Sequence, residues 1–170
     1  DLKNVKRAID TLYIFIFFAS IILSVVGIYF TEDIFRLIHL PEEILPQAKT
    51  YLTIYLSGLI ITFSFNGTSA ILRGLGDSKT PLYFLIISTF LNIGLDLLFI
   101  IVFKWGIAGA ALATIVSQGV AFILAIVYLN RYHKIISFNI SKFHFDTRIF
   151  RQSVRIGLPT GIQHTFVSLG

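Results

Sequence analysis

The sequence predicts an all-α protein, a polytopic transmembrane helical bundle. Of its 170 residues 55% are hydrophobic, 15% aromatic and only 14% charged, and the mean hydropathy is +0.82, well above that of an ordinary soluble domain. Four apolar stretches each reach the ~20 residues that a helix rising 1.5 Å per residue needs to cross a hydrocarbon core of ~30 Å. None of them alternates with period two, and each is several times the usual length of a strand. Cysteine is absent, which excludes a disulfide framework, a thiolate metal site and a catalytic thiol.

The first stretch runs from Thr11 to Phe30 and is too long, and lacks the small-residue end, to be a secretory signal. The second runs from Tyr51 to Leu72, and "GLGDSKTP" turns the chain into the third, Pro81 to Phe103. "FKWG" then turns into the fourth, Trp105 to Leu129. Connections this short make consecutive helices antiparallel neighbours. Residues 1–130 thus form one unit of four spans, and 131–155 a basic linker in which Asp146 or Thr147 caps a helix with Ile149, Phe150 and Val154 on one face. Such a segment suits the inner surface of a membrane. Residues 156–170 begin a fifth apolar stretch that stops short of a span; with the absence of an initial methionine, this is expected of an internal piece of a longer protein.

Basic residues give the bundle a direction. Lys3, Lys6, Arg7, Arg73, Lys79, Arg131, Lys134, Lys142, Arg148, Arg151 and Arg155 fall on one side of the spans, and only Arg36, Lys49 and Lys104 on the other. Cytoplasmic loops carry such an excess, so the linker is expected in the cytoplasm of a multi-pass cell-membrane protein, and "TEDIFRLIHLPEE" outside. The net charge of +5 is then membrane topology, and no nucleic-acid partner is expected.

One acidic residue interrupts these four spans, Asp96 in "FLNIGLDLLFI". Asn92 stands four residues before it and so on the same helical face. A charge near mid-membrane costs at least ~2.5–3.5 kcal/mol, so it faces the bundle interior and is protonated or paired with a cation. No Lys or Arg lies within the spans, which favours a proton or a small cation such as Na⁺ at Asp96. Counted from Pro81, Asp96 lies about 22 Å along its helix, in the outer half of the bilayer. The fourth span adds Thr114, Ser117 and Gln118, and its small residues Gly106, Gly109, Ala110 and Ala113 allow the close approach that would bring Thr114 towards Asp96. Taken alone, a span threonine more often bonds its own backbone, and Tyr51 at a span's start more often belongs to the interfacial belt. The four histidines lack metal-ligand spacing, "GLGDSKT" lacks the context of a phosphate loop, and an aspartyl hydrolase needs a second intramembrane Asp. No enzyme and no cofactor is expected.

Together "LRGLGDSKTP", "LNIGLDLLFI", "WGIAGAALATIVSQ" and "IGLPTGIQ" resemble the multidrug and toxic compound extrusion (MATE) family, over nearly the whole chain. The resemblance implies spans three to six, the linker and the start of span seven of a twelve-helix, two-lobed and monomeric transporter. It implies an antiporter that exports drugs or other cationic or amphipathic organic compounds as Na⁺ or H⁺ enters. It also implies a cation site at Asn92, Asp96 and Thr114, with Tyr51 and Gln118 in support and an acidic residue from span one completing the set. A lipid-linked oligosaccharide flippase of the same superfamily and a non-transporting membrane scaffold or receptor are the alternatives.

Overall fold

The computed structural model describes residues 2–132 and 145–169. Every regular element among them is helical: α1 (Leu2–Tyr29), α2 (Thr31–Leu37), α3 (Leu45–Ser57), α4 (Leu59–Gly74), α5 (Lys79–Asp96), a π-helical segment (Leu97–Val102), α6 (Gly106–Tyr132) and α7 (Thr147–Leu169). Three helices are long and apolar enough to cross a membrane: α1 from Asn4, α5 with its π segment, and α6. α3 and α4, bent by 51° at their junction, make a fourth as one broken span. The all-α polytopic bundle is therefore present. Most of the expected linker lies outside the described residues, whereas α7 runs unbroken through residues 155 and 156.

Two spans differ from expectation. α1 starts at Leu2 rather than Thr11, because the polar opening continues in helical register. The longer helix carries Asp10, only 6% exposed, into the span, so Asp96 is not the only carboxylate among the spans. The second span is broken at Gly58. There an added Cβ would lie 2.5 Å from the Ile115 side chain of α6, so the missing side chain lets α6 approach the bend. On the other flank the Ser24 hydroxyl donates to the Leu56 carbonyl, which ties α1 to the last turn of α3.

α6 is the helix on which the others meet; α3, α4, α5 and the π segment all pack against it. Six of its seven buried positions, Gly109, Ala113, Ser117, Ala121, Ala125 and Leu129, recur every four residues, a narrow stripe of mostly small side chains that permits close helix contact. Towards the basic end, Ala125 and Leu129 join Ile9, Ile71 and Leu72 in one apolar cluster. The outward faces of α1 and α5 carry exposed Phe18, Ile22, Leu82 and Phe90, the surface of helices solvated by lipid or by further helices rather than water.

The α4–α5 turn is fixed by Asp77. Gly76 adopts φ +90°, a conformation natural to glycine, and Asp77 Oδ1 then accepts the Thr80 backbone N–H at 3.0 Å. Its Oδ2 accepts the Tyr128 hydroxyl of α6 at 3.0 Å, and the Tyr128 ring meets Phe84 of α5 edge-on. Hydrogen bonding from Thr80, hydroxyl first and then backbone, holds the Asp77 carboxyl below its ordinary value, with a smaller contribution from Tyr128. This stabilisation is complete above the ordinary carboxylate value of 3.8 and is lost as pH falls through the depressed one. Asp77→Ala in the whole protein should therefore cost about 1 kcal/mol at neutral pH. Its thermal unfolding should converge with that of wild type as the pH falls well below 3.8; an equal gap at all pH values would disprove the clasp.

Candidate functional site

Asn92 and Asp96 occupy the last turns of α5, immediately before the helix widens into the π segment. In that segment Phe103 donates its N–H to the Leu98 carbonyl at 3.0 Å, and Trp105 donates to the Phe99 carbonyl at 2.9 Å. An added Cβ on Gly109 would sit 2.9 Å from Phe99 Cβ and 3.2 Å from its carbonyl carbon, so α6 touches the π backbone directly. This contact sets the register of the antiparallel pair. Measured inward from it at 1.5 Å per residue, Asp96 lies about 4 Å down, Thr114 about 8 Å, Asn92 about 10 Å and Gln118 about 14 Å. The four predicted residues thus interleave in depth on two packed helices.

Their bonding is unusual for a membrane interior. Five buried side-chain polar atoms among the described residues have no hydrogen-bond partner, and three belong to this set: Asn92 Nδ2, Asp96 Oδ1 and Gln118 Oε1. A buried donor or acceptor left unpaired costs about 1–3 kcal/mol, and a carboxylate in an apolar span needs a proton or a cation. Carboxylate, carboxamide and hydroxyl oxygens are hard ligands that suit Na⁺ rather than a soft transition metal. Among the described residues no three His, Cys, Asp or Glu side chains gather as a metal site.

Thr114 donates its hydroxyl proton to the Ala110 carbonyl at 3.1 Å, the local backbone bond common for a span threonine. It makes no hydrogen bond to Asp96, but the remaining lone pairs of its oxygen can still coordinate a cation. Tyr51 is 37% exposed and stacks on Tyr55 with ring centroids 6.2 Å apart. It makes no hydrogen bond to the Asn92–Asp96 pair.

The other two orphaned atoms, Thr62 Oγ1 and Ser69 Oγ on α4, escaped the sequence reading. They stand seven residues apart on the stripe that also carries Gly58, Phe65 and Leu72, and this spacing is the signal that could have found them. Neighbouring polar groups of α4 are satisfied: Thr68 Oγ1 lies 2.6 Å from the Tyr13 hydroxyl and donates to the Ser64 carbonyl, and Asn66 donates to the Thr62 carbonyl.

The chain belongs to the MatE family, whose model matches residues 1–98. It is 38% identical to the probable multidrug resistance protein YpnP of Bacillus subtilis (strain 168), over all of this chain and 38% of that protein. It is 33% identical to the probable multidrug resistance protein YoeA of the same organism, over 98% of this chain and 38% of the relative. A Thermotoga maritima relative, probable multidrug resistance protein NorM, is 36% identical over 78% of this chain and 29% of its own length. The chain therefore spans about two fifths of the length of the first two relatives. Among solved structures, a MATE crystal structure in the bent conformation matches at TM-score 0.82 and 22% identity, over 97% of this chain and 42% of that one. An inward-facing MATE transporter matches at 0.76 and 22% identity, over 93% and 42%. These likenesses establish the fold, and family and apolar helices together make this a multi-pass membrane protein.

Removing an orphaned polar group from an apolar site relieves its desolvation cost. Asn92→Leu and Gln118→Leu in the whole protein should accordingly leave the thermal unfolding midpoint unchanged or raise it. A fall of several degrees in both variants would mean that these side chains hold the fold together through partners of their own.

Proposed function

We propose that this chain supplies helices of a secondary active antiporter of the cell membrane that exports drugs or other amphipathic organic compounds against an inward flow of Na⁺ or H⁺. The observation that carries the reading is the set of orphaned polar atoms of Asn92, Asp96 and Gln118, interleaved with Thr114 on α5 and α6. Family membership and the relatives' description as multidrug resistance proteins support it. Residues 131–155 are cytoplasmic in this reading, in keeping with the distribution of basic side chains.

The mechanism follows from the cost of an unpartnered carboxylate. Without a cation, Asp96 repels its apolar surroundings and favours whichever arrangement of helices lets water or a polar group reach it. Neutralised by a proton or by Na⁺ held with Asn92, Thr114 and Gln118, it favours the arrangement that closes the site. The π segment follows Asp96 directly, the kind of place in a helix where π turns frequently accompany functional sites. Ion and exported compound compete through conformation and need not touch.

The test is efflux by the full-length protein in vesicles, wild type against Asp96→Asn, under Na⁺ and H⁺ gradients imposed separately. Asp96→Asn should abolish gradient-driven efflux while inserting normally, and the gradient that drives wild type identifies the ion. Undiminished coupled efflux by the variant would place coupling elsewhere.

A further inference from the structure

A groove of about 830 Å³ runs between α1 and α7, lined by Leu12 and Phe15 on one side and by Phe150, Val154, Leu158 and Ile162 on the other. It is nearly all apolar, and two contacts define its basic end: Thr11 Oγ1 accepts the Asp146 N–H at 3.0 Å, and the Phe15 and Phe150 rings lie 5.4 Å apart. Val154 also borders a second hollow, formed by Arg148, Arg151 and Arg155. Those arginines are spaced three and four residues apart and share one helical face. Arg148 in turn faces a third hollow with Arg7 of α1. None of the four arginines is in an ion pair, the one ion pair among the described residues being Glu32–Lys49. The acid nearby, Asp146, is engaged as a helix cap, its Oδ1 accepting the Arg148 and Ile149 N–H groups at 2.9 and 3.2 Å.

We propose that this composite is a binding site for one anionic phospholipid of the inner leaflet. An acyl chain lies in the α1–α7 groove, and the headgroup phosphate rests on Arg148, Arg151 and Arg155 with Arg7 opposite. An apolar channel continuous with unpaired guanidinium groups at the basic end of α1 and α7 matches such a lipid in both charge and shape. Guanidinium forks suit a phosphate. A lipid wedged between α1 and α7 ties the position of α7 to the composition of the membrane. The site rests on the orientation of the basic residues and is independent of the reading of Asp96.

The experiment is native mass spectrometry of the full-length protein released from vesicles of equal phosphatidylglycerol and phosphatidylcholine, with no transport readout. Wild type should retain phosphatidylglycerol preferentially. The triple variant Arg148→Gln, Arg151→Gln, Arg155→Gln should lose that preference by at least ~10-fold, neutralisation of each basic group being expected to weaken attraction several-fold. The corresponding triple Arg→Lys variant, which keeps the charge, should hold most of it and controls for folding. Gly157 borders the groove and has nothing within 4 Å of an added Cβ, so Gly157→Trp fills the groove without touching the arginines and should also expel the lipid. No preference in wild type, or undiminished preference in the triple Gln variant, would overturn the site. Loss in the triple Gln variant with full retention in Gly157→Trp would reduce it to diffuse surface charge and overturn the groove.

Discussion

The small-residue stripe of α6 is the constraint on which the rest of the bundle depends. Lipid supplies no hydrophobic drive between helices, so their association rests on close packing, and α6 provides it on two fronts. At Gly109 its backbone reaches the π segment near enough that one added carbon would collide with Phe99. At Ile115 it fills the notch left by Gly58. The first contact sets the register of α6 on α5, and so the depth at which Thr114 and Gln118 stand relative to Asn92 and Asp96. The second places the bend of the broken span.

That packing has a polar cost. At the α5–α6 pair, Asn92 Nδ2, Asp96 Oδ1 and Gln118 Oε1 are buried without a hydrogen-bond partner. The fold tolerates several unsatisfied groups in one region while satisfying their neighbours, as with Thr68 and Tyr13. In the antiporter proposed above, the orphaned oxygens of Asp96 and Gln118 are the hard ligands that a cation or a proton would satisfy. Asp77 at the opposite end of α5 is a useful contrast, since its carboxylate is fully engaged by Thr80 and Tyr128 and serves as a clasp.

Much of this was legible in the sequence, for physical reasons. Span length, uncharged composition and the loop charges follow from the solvent a helix must cross, so the bundle and the place of Asp96 could be read from residue types alone. The turns at Asp77 and Lys104 were legible because glycine and short polar residues mark them. What escaped depends on contacts between distant residues. The break at Gly58 requires Ile115 opposite it, and the π turn after Asp96 carries no composition of its own, since "LLFIIV" reads equally as α-helix. Asp10 lies in the polar opening of α1, where the apolar run alone does not mark the helix that continues past it. Thr62 and Ser69 share the spacing of the buried α4 stripe, but that they lack partners depends on what packs around them.

In the proposed antiporter the Asp96 carboxyl takes up a cation or proton inside the bundle. Infrared difference spectroscopy of the full-length protein, recorded on adding Na⁺ or lowering pH, observes a carboxyl directly. A carboxyl band should shift on Na⁺ binding or appear on protonation, and should be missing from Asp96→Asn. An identical difference spectrum from that variant would contradict it.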